Sequence, residues 1–219
     1  MLNGRKAPPP TLIFDLDGTL SDNYEGIANC IRHALARLGA SDPGEHELRR
    51  CVGPPLRESF ARLIDDAVPA RIESAIDAYR ERFSDVGWQE NVLYPGVSEA
   101  LATLAATGAR LHVCTSKPQV FAARIISHFG FDAHFTSVHG ADLAGTLDDK
   151  GKLLAHLVAI EKLHPGQCIM IGDRHHDMRA ARMNATRAVG VLWGYGEKEE
   201  LVDAERLLVE PAELATLSQ

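Results

Sequence analysis

Long apolar stretches are missing from this chain of 219 residues. No apolar run reaches the roughly 18 residues that a membrane-spanning helix needs. The first ten residues, MLNGRKAPPP, carry charge but no apolar segment, so we expect no secretory signal and interpret Met1–Pro10 as a mobile arm. Basic residues are also outnumbered, with 23 Lys and Arg against 30 Asp and Glu and a net charge of −7. This charge argues against a nucleic acid polymer or an anionic membrane as the main partner.

Two common motifs are also missing. The four cysteines, Cys30, Cys51, Cys114 and Cys168, include no C-x-x-C pair. Cys114 and Cys168 lie in apolar runs, where a cysteine usually acts as a small buried hydrophobe. We therefore expect reduced thiols and a cytoplasmic protein. The pattern GxxxxGK[ST] does not occur, so a nucleotide-binding P-loop is not supported.

What the chain does have is a regular alternation of short apolar runs and amphipathic helical patterns. The predicted strands are Thr11–Phe14, Leu111–Thr115, Cys168–Gly172, Ala188–Trp193 and Arg206–Glu210. The helices predicted between them are Val97–Ala106, Pro118–Phe129, Lys152–Leu163 and Asp177–Met183. This alternation is typical of a parallel sheet with helices on both faces. The predicted fold is therefore an α/β, doubly wound (Rossmann-like) core.

One region interrupts the alternation. Between about residues 22 and 90 the sequence contains no convincing strand, only amphipathic helical patterns. These patterns are Ile27–Leu38, Pro55–Ile64 and Ala70–Phe83. We interpret residues 22–91 as an inserted α-helical cap domain. The α/β core domain then comprises residues 1–21 and 92–219.

Two carboxylates stand where the first strand ends. Asp15 and Asp17 directly follow the apolar run TLIF, and Gly18 permits a tight turn after them. In doubly wound sheets, ligands bind at the carboxyl ends of the strands. The residues that follow other predicted strands, or begin a helix, are Thr115, Ser116, Lys117, Lys150, Lys152, Asp173 and Asp177. We expect these side chains to meet Asp15 and Asp17 at one edge of the sheet.

The assembled residue types indicate a chemistry. Clustered carboxylates repel one another unless a cation lies among them, and hard oxygen ligands of this kind suit Mg²⁺. Hydroxyl groups and a lysine suit the oxygens of a phosphate. The sequence therefore predicts a site for phosphoryl transfer.

At this point the sequence resembles the haloacid dehalogenase superfamily of phosphatases. The resemblance rests on four motifs in order and covers almost the whole chain. They are DLDGTLSD at Asp15–Asp22, CTSK at Cys114–Lys117, Lys150, and GDRHHD at Gly172–Asp177. The insert resembles the small helical cap of the phosphoglycolate phosphatase-like branch. The segments GPPLRESF, at Gly53–Phe60, and WGYG, at Trp193–Gly196, resemble a subgroup of phosphoglycolate phosphatases or 5′-nucleotidases.

The resemblance implies roles for the acidic residues. Asp15 is expected to be the nucleophile that accepts the phosphoryl group as an aspartyl phosphate. Asp17 is expected to protonate the leaving oxygen and then to activate water, while its backbone carbonyl binds Mg²⁺. Asp173 is expected to be the third metal-binding residue, beside Asp15 and Asp17. Asp177 supports that set as a further ligand or by holding a water.

The resemblance also implies a set of phosphate-binding residues. Thr115, Ser116 and Lys150 are expected to hold the transferring oxygens and to offset their charge. The family places this lysine at a loosely defined distance before the GD of GDRHHD, and Lys152 fits that distance as well as Lys150 does. Lys152 begins the amphipathic run, however, and therefore suits a surface position. In the cap, Arg57 is the residue we expect to contact the substrate.

Several residues also have purely structural interpretations. Asp177 could open the helix that follows it, and Thr115 with Ser116 could cap the helix near Pro118. An anion site and a helix cap are compatible, because a helix N-terminus itself attracts anions. We expect His175 and His176 to point in different directions, exposed or lining the mouth of the site, and not to bind a metal.

Other activities compete with a phosphatase. Asp17 argues against halide removal, and the absence of any lysine from Ser21 to Tyr94 argues against phosphonate hydrolysis through a cap Schiff base. A β-phosphoglucomutase-like sugar phosphomutase shares every motif named above. A non-catalytic phosphate-binding or receiver-like signalling module is the alternative of another class. A receiver lacks the insert and is shorter than this chain.

The expected partner is a small phosphorylated metabolite, handled by a monomer or a homodimer. Phosphoglycolate would need a cationic contact for its carboxylate, for which the candidates are Arg57, Arg49 and Arg50. A 5′-nucleotide would need an aromatic or apolar wall, for which the candidates are Phe60, Tyr24 and Trp88.

Overall fold

The computed structural model describes residues 10–65, 68–142 and 146–218. The arm predicted at Met1–Pro10 therefore lies outside the described residues except for Pro10. No helix in the described part of the chain is both long enough and apolar enough to cross a bilayer.

The chain forms eight strands and eight α-helices within the described residues. The strands are β1 Thr11–Phe14, β2 Ser21–Asp22, β3 Val92–Leu93, β4 Arg110–Pro118, β5 Ser137–Ala141, β6 Cys168–Gly172, β7 Arg187–Val191 and β8 Arg206–Leu208. The α-helices are α1 Tyr24–Arg37, α2 Glu45–Arg49, α3 Leu56–Leu63, α4 Pro69–Asp85, α5 Val97–Ala106, α6 Gln119–His128, α7 Lys150–Ile160 and α8 His175–Met183. Short 3₁₀ helices occur at Gly87–Gln89, Pro165–Gln167, Lys198–Leu201 and Pro211–Ser218.

Six of the strands form one parallel sheet in the order β5-β4-β1-β6-β7-β8. The central strand β1 is buried along its whole length, because neighbouring strands cover its edges and helices cover its faces. Its side chains alternate between the two faces. Leu12 and Phe14 pack in a core cluster with α5 and α6, and Ile13 packs in a second cluster with α7 and α8. The doubly wound α/β fold predicted from the sequence is confirmed.

Helices α1 to α4 lie between β2 and β3 in the chain. These two short strands pair antiparallel, with Ser21 opposite Leu93 and Asp22 opposite Val92. The chain therefore leaves the core and returns to it at adjacent points. Helix α1 packs against α4, and α3 also packs against α4. The exact limits of the cap, residues 22–91, stay a prediction.

The structure differs from the sequence prediction in several elements. Strand β5 was not predicted, because its sequence SVHGA contains polar residues and a glycine instead of an apolar run. Helix α2 was also missed, because it has only five residues. Helix α7 begins at Lys150 instead of Lys152, and α8 begins at His175 instead of Asp177. Pro118 ends β4 and precedes α6, which begins at Gln119.

A buried histidine on β4 makes the stability of this fold depend on pH. His112 is fully buried, and its Nδ1 lies 2.7 Å from Oγ of Ser137. Burial lowers the pKa of His112 to about 4, against the opposing effect of Glu161, and Arg110 and His139 lower it further. The unfolded chain takes up this proton at a higher pH than the folded chain does.

We therefore expect this contribution to stability to be complete above about pH 6.5 and to be lost as the pH falls towards 4. The loss should reach about 2–3 kcal/mol in the free energy of unfolding. Urea unfolding at pH 7 and pH 4.5 measures it, and His112→Gln should lose less stability than the wild type over this range. Equal losses in the two proteins would contradict the prediction.

Candidate active site

The central strand carries two acids to the edge of the sheet. Asp15 follows β1, and its backbone N–H donates a 2.8 Å hydrogen bond to the carbonyl of Ile171 on β6. The chain then turns sharply at Gly18, whose φ of +84° is a left-handed conformation that favours glycine. A Cβ on Gly18 would also lie only 2.4 Å from Oδ2 of Asp173. Gly18 therefore brings the first acidic loop against the acid that follows β6.

Lys150 lies between two of the carboxylates. Its Nζ is 2.7 Å from Oδ2 of Asp15 and 2.5 Å from Oδ1 of Asp177. It starts α7, which is capped by Asp149 through a hydrogen bond from the backbone N–H of Lys152. The side chain of Lys152 is exposed, whereas Lys150 is buried. The structure thus brings Lys150, and not Lys152, to Asp15.

A second lysine is paired with the second acid. Nζ of Lys117, at the end of β4, lies 2.9 Å from Oδ2 of Asp17, and both side chains are largely buried. The same Nζ lies 4.6 Å from the ring centroid of Phe83 on α4. The hydroxyl of Thr115 accepts a 3.2 Å hydrogen bond from the backbone N–H of Lys117. No side chain caps α6 at Pro118, so Thr115 and Ser116 are not its caps.

Asp173 is fully buried and is held by the loop that carries WGYG. Its Oδ2 accepts a 2.8 Å hydrogen bond from the backbone N–H of Tyr195. A Cβ on Gly194 would lie 2.4 Å from Cβ of Asp173, so the loop can approach this closely only with glycine there. The indole N–H of Trp193 donates to the carbonyl of Thr19 at 3.0 Å. The loop therefore fixes both Asp173 and the turn that follows Asp15.

Burial dominates the electrostatics of the acids. It raises the pKa of Asp173 to about 8, with Asp177 and Asp15 as further causes. Burial also raises the pKa of Asp177 to about 6, although Lys150 opposes the shift. It raises the pKa of Asp17 against the opposing effect of Lys117. Burial alone would lower the pKa of Lys150, but Asp15 and Asp177 raise it above its ordinary value.

The acids have room for a cation. Carboxylate oxygens of Asp15, Asp173 and Asp177 lie within 4.8 Å of one another. The Oδ1 atoms of Asp15, Asp17 and Asp173 are buried and have no hydrogen-bond partner among the described residues. Unpaired buried oxygens are costly, and a hard divalent cation satisfies several of them at once. The residues therefore fit a metal ion, and the side chain of Asp177 lies close enough to Asp15 and Asp173 to take part.

A cavity, called the active-site cavity below, opens above these residues. Its floor is formed by Asp15, Asp17, Thr115, Ser116 and Lys117. Its walls are Ile27, Gly53, Pro54, Pro55, Leu56, Tyr79, Arg80, Phe83, Pro118 and Phe121. The segment GPPL and helix α4 thus cover the acids with mostly apolar side chains.

The cap residues expected from the sequence to contact substrate do not line the active-site cavity. Arg57 is exposed and forms an ion pair with Glu73, and it lines a neighbouring side cavity that also includes Ser116. The other candidates do not line the active-site cavity: Arg49 and Arg50 are exposed, and Tyr24, Phe60 and Trp88 are buried in the core. The residues that the sequence analysis missed, Tyr79, Arg80 and Phe83, share one face of α4 and could have been found from that spacing.

The two adjacent histidines do not diverge as expected. The ring centroids of His175 and His176 are 3.9 Å apart, so the rings lie against each other. Nδ1 of His175 lies 2.7 Å from Oε2 of Glu200. His176 lines a second opening beside Lys150, which agrees with a place at the mouth of the site.

The site combines buried strand-end acids, two lysines and an apolar lid, as expected for an α/β phosphoryl-transfer enzyme. The family model of haloacid dehalogenase-like hydrolases matches residues 12–191. The chain belongs to this family.

Of three similar proteins, two are named as a nucleotidase or a phosphatase, and one is named as a kinase. A 5′-nucleotidase of Pseudomonas aeruginosa is 43% identical over 194 residues, which cover 88% of this chain and 86% of the relative. Tyrosine-protein kinase PtkA of Mycobacterium tuberculosis is 40% identical over 191 residues, which cover 87% of this chain but only 65% of the kinase. A predicted phosphatase from Clostridium acetobutylicum has a similar structure, with a TM-score of 0.88, 33% identity and coverage of 95% and 97% of the two chains. The protein is a phosphoric monoester hydrolase of the haloacid dehalogenase type.

The contrast between the two lysines of α7 gives a direct test. Lys150→Ala removes the cation that contacts Asp15, so we expect hydrolysis of p-nitrophenyl phosphate to fall by about 100-fold or more. Lys152→Ala, the matched control, removes an exposed lysine of the same helix turn and should retain activity. Circular dichroism would show that both variants are folded. If Lys152→Ala lost more activity than Lys150→Ala, Lys152 would be the lysine that acts on the phosphate.

Proposed function

We propose that this protein is a Mg²⁺-dependent phosphatase that hydrolyses a small phosphomonoester through an aspartyl phosphate on Asp15. The observation that carries the proposal is the state of the Asp15 carboxylate. Its Oδ2 is held 2.7 Å from Lys150, while its Oδ1 has no hydrogen-bond partner among the described residues. Asp15 also lines the active-site cavity.

In the first half of the reaction, a carboxylate oxygen of Asp15 attacks the phosphorus and the bond to the leaving oxygen breaks. Asp17, two residues on and also lining the cavity, gives its proton to that oxygen. A buried acid with a raised pKa is suited to carry this proton. Lys150 and the hydroxyl groups of Thr115 and Ser116 offset charge on the transferring oxygens.

In the second half, Asp17 is a carboxylate and can take a proton from water. The resulting hydroxide attacks the phosphorus, and the bond between phosphorus and Asp15 breaks. Inorganic phosphate leaves and Asp15 is regenerated. Lys117 stays with Asp17 at 2.9 Å, so it positions this acid for both proton transfers.

The residues that would hold Mg²⁺ are the carboxylates of Asp15, Asp173 and Asp177 and the backbone carbonyl of Asp17. When bound, the ion supplies positive charge that screens the nucleophile from the phosphate oxygens. Asp173 is fixed in place for this role by the backbone N–H of Tyr195.

The proposed partner is a small phosphorylated metabolite, either phosphoglycolate-like or a 5′-nucleotide, used by a monomer or a homodimer. The similarity to a 5′-nucleotidase supports the nucleotide. The cysteines at positions 30, 51, 114 and 168 are all free and buried, which supports the predicted cytoplasmic location.

The nucleophile can be tested by a conservative change. Asp15→Asn removes the attacking oxygen but keeps the shape of the side chain, so release of phosphate should fall below detection. The measurement is phosphate release from p-nitrophenyl phosphate, phosphoglycolate, 5′-nucleotides and sugar phosphates, with Mg²⁺ and with EDTA. EDTA should also stop release by the wild type. Near-normal activity of Asp15→Asn would exclude Asp15 as nucleophile. Conversion of a sugar phosphate to its isomer without phosphate release would indicate a mutase.

Metal binding can be measured without any substrate. We expect Mg²⁺ to raise the thermal unfolding midpoint of the wild type, because the ion relieves repulsion among the buried carboxylates. Asp173→Asn should lose this increase, because it removes one of the converging carboxylates. Asp203→Asn is a matched control at an exposed carboxylate, which is paired with Arg182, and should keep it. An increase that persists in Asp173→Asn would place the ion elsewhere.

A further inference from the structure

We propose that Arg80 is a specificity-determining residue that binds a second anionic group on the leaving portion of the substrate. This inference rests on the proposed function, since it concerns the same cavity. It moves substrate recognition from Arg57, expected from the sequence, to a different residue of the cap. The substrate class that follows is a small phosphomonoester with a carboxylate or a second phosphoryl group.

The position of Arg80 provides the first argument. It lies on α4 beside Tyr79 and three residues before Phe83, and all three line the active-site cavity. Asp15 and the phosphate-binding hydroxyl groups line the same cavity. A substrate whose phosphoryl group lies at Asp15 therefore extends its leaving group towards α4. Arg80 supplies a guanidinium group in an otherwise mostly apolar wall.

The second argument is that Arg80 has no hydrogen-bond or ion-pair partner among the described residues. Its Nε is buried without a hydrogen-bond partner, and no hydrogen bond or ion pair of Arg80 occurs with any residue in 10–65, 68–142 or 146–218. The other arginines of α4 are paired: Arg82 lies 2.7 Å from Glu90, and Arg71 donates to the carbonyl of Leu38. Arg57 is also paired, with Glu73. Arg80 is therefore the guanidinium of this helix that is free to bind a ligand.

The nearby acids do not take this role. Asp15 is paired with Lys150 and Asp17 with Lys117. Arg80 also borders the side cavity, together with Asp142 and Asp148, but the structure contains no hydrogen bond from Arg80 to these two acids. A buried guanidinium N–H without a hydrogen-bond partner is unfavourable, and an anionic ligand would supply that partner.

The volume of the active-site cavity and the chemistry of a guanidinium group indicate what kind of leaving group fits. The volume of the active-site cavity is about 70 Å³, enough for about two water molecules, which favours a small leaving group. A guanidinium group binds carboxylates and phosphates through two parallel hydrogen bonds. We therefore expect the second anionic group to lie only a few bonds from the phosphoryl group.

The test compares substrates of similar size. Phosphoglycolate carries a carboxylate, ethane-1,2-diol bisphosphate carries a second phosphoryl group, and ethyl phosphate carries neither. Arg80→Met keeps the apolar stem but removes the charge. We expect kcat/KM to fall by about 10- to 100-fold for the two anionic substrates and to stay within about 3-fold for ethyl phosphate. The ratio between the two anionic substrates in the wild type identifies which group Arg80 binds.

A matched control and a rescue separate recognition from folding. Arg37→Met removes an exposed cap arginine that pairs with Glu81 of α4, and it should change none of the three values. Arg80→Lys keeps the charge and should recover part of the preference for anionic substrates. An equal loss on ethyl phosphate would indicate a structural role for Arg80 and would overturn the proposal. It would also be overturned if Arg57→Met alone removed the preference, or if AMP were the best substrate and insensitive to Arg80→Met.

Failure of the proposed function gives a different result. If the wild type released phosphate from none of these compounds, the hydrolase mechanism would be wrong, and binding would then decide the role of Arg80. Phosphoglycolate should raise the thermal unfolding midpoint of the wild type in the presence of Mg²⁺, and less so that of Arg80→Met. Equal shifts in the two proteins would exclude Arg80 as the anion-binding residue.

Discussion

The burial of like charges at the end of a parallel sheet is the constraint on which the rest of this structure depends. Four carboxylates, Asp15, Asp17, Asp173 and Asp177, meet two lysines there, Lys117 and Lys150. If all six groups are ionised, a net charge of −2 is left in a water-poor site, which is unfavourable without a further cation. The site therefore stabilises added positive charge, and a divalent metal ion would neutralise the remaining negative charge.

The topology of the sheet explains why these groups meet. Strand β1 is central, with β4 on one side and β6 on the other. The acids that follow β1 consequently have Thr115 and Lys117 at one flank and Asp173 at the other. Helices α7 and α8 then bring Lys150 and Asp177 to the same edge. Because these groups arrive on several different elements, the core must be correctly packed before the charges can compensate one another.

The sequence was sufficient to predict the groups at the strand ends but not those of the cap. Asp15, Asp17 and Asp173 follow buried apolar runs, so their position is given by local sequence and the general rule for parallel sheets. The choice between Arg57 and Arg80 depends instead on a tertiary contact, the ion pair of Arg57 with Glu73, which no local pattern encodes. Strand β5 was missed for a related reason, since its sequence SVHGA has no apolar run and its pairing with β4 is a tertiary contact.

Helix α4 links the cap to the chemistry. Phe83 covers the ammonium group of Lys117 at 4.6 Å, and Lys117 holds Asp17 at 2.9 Å. Arg80 lies one turn earlier on the same helix and borders the same cavity. A displacement of α4 would therefore change the surroundings of the proposed acid and of the proposed anion-binding residue together. One helix therefore carries both the residue that contacts Lys117 and the residue proposed to bind the leaving group.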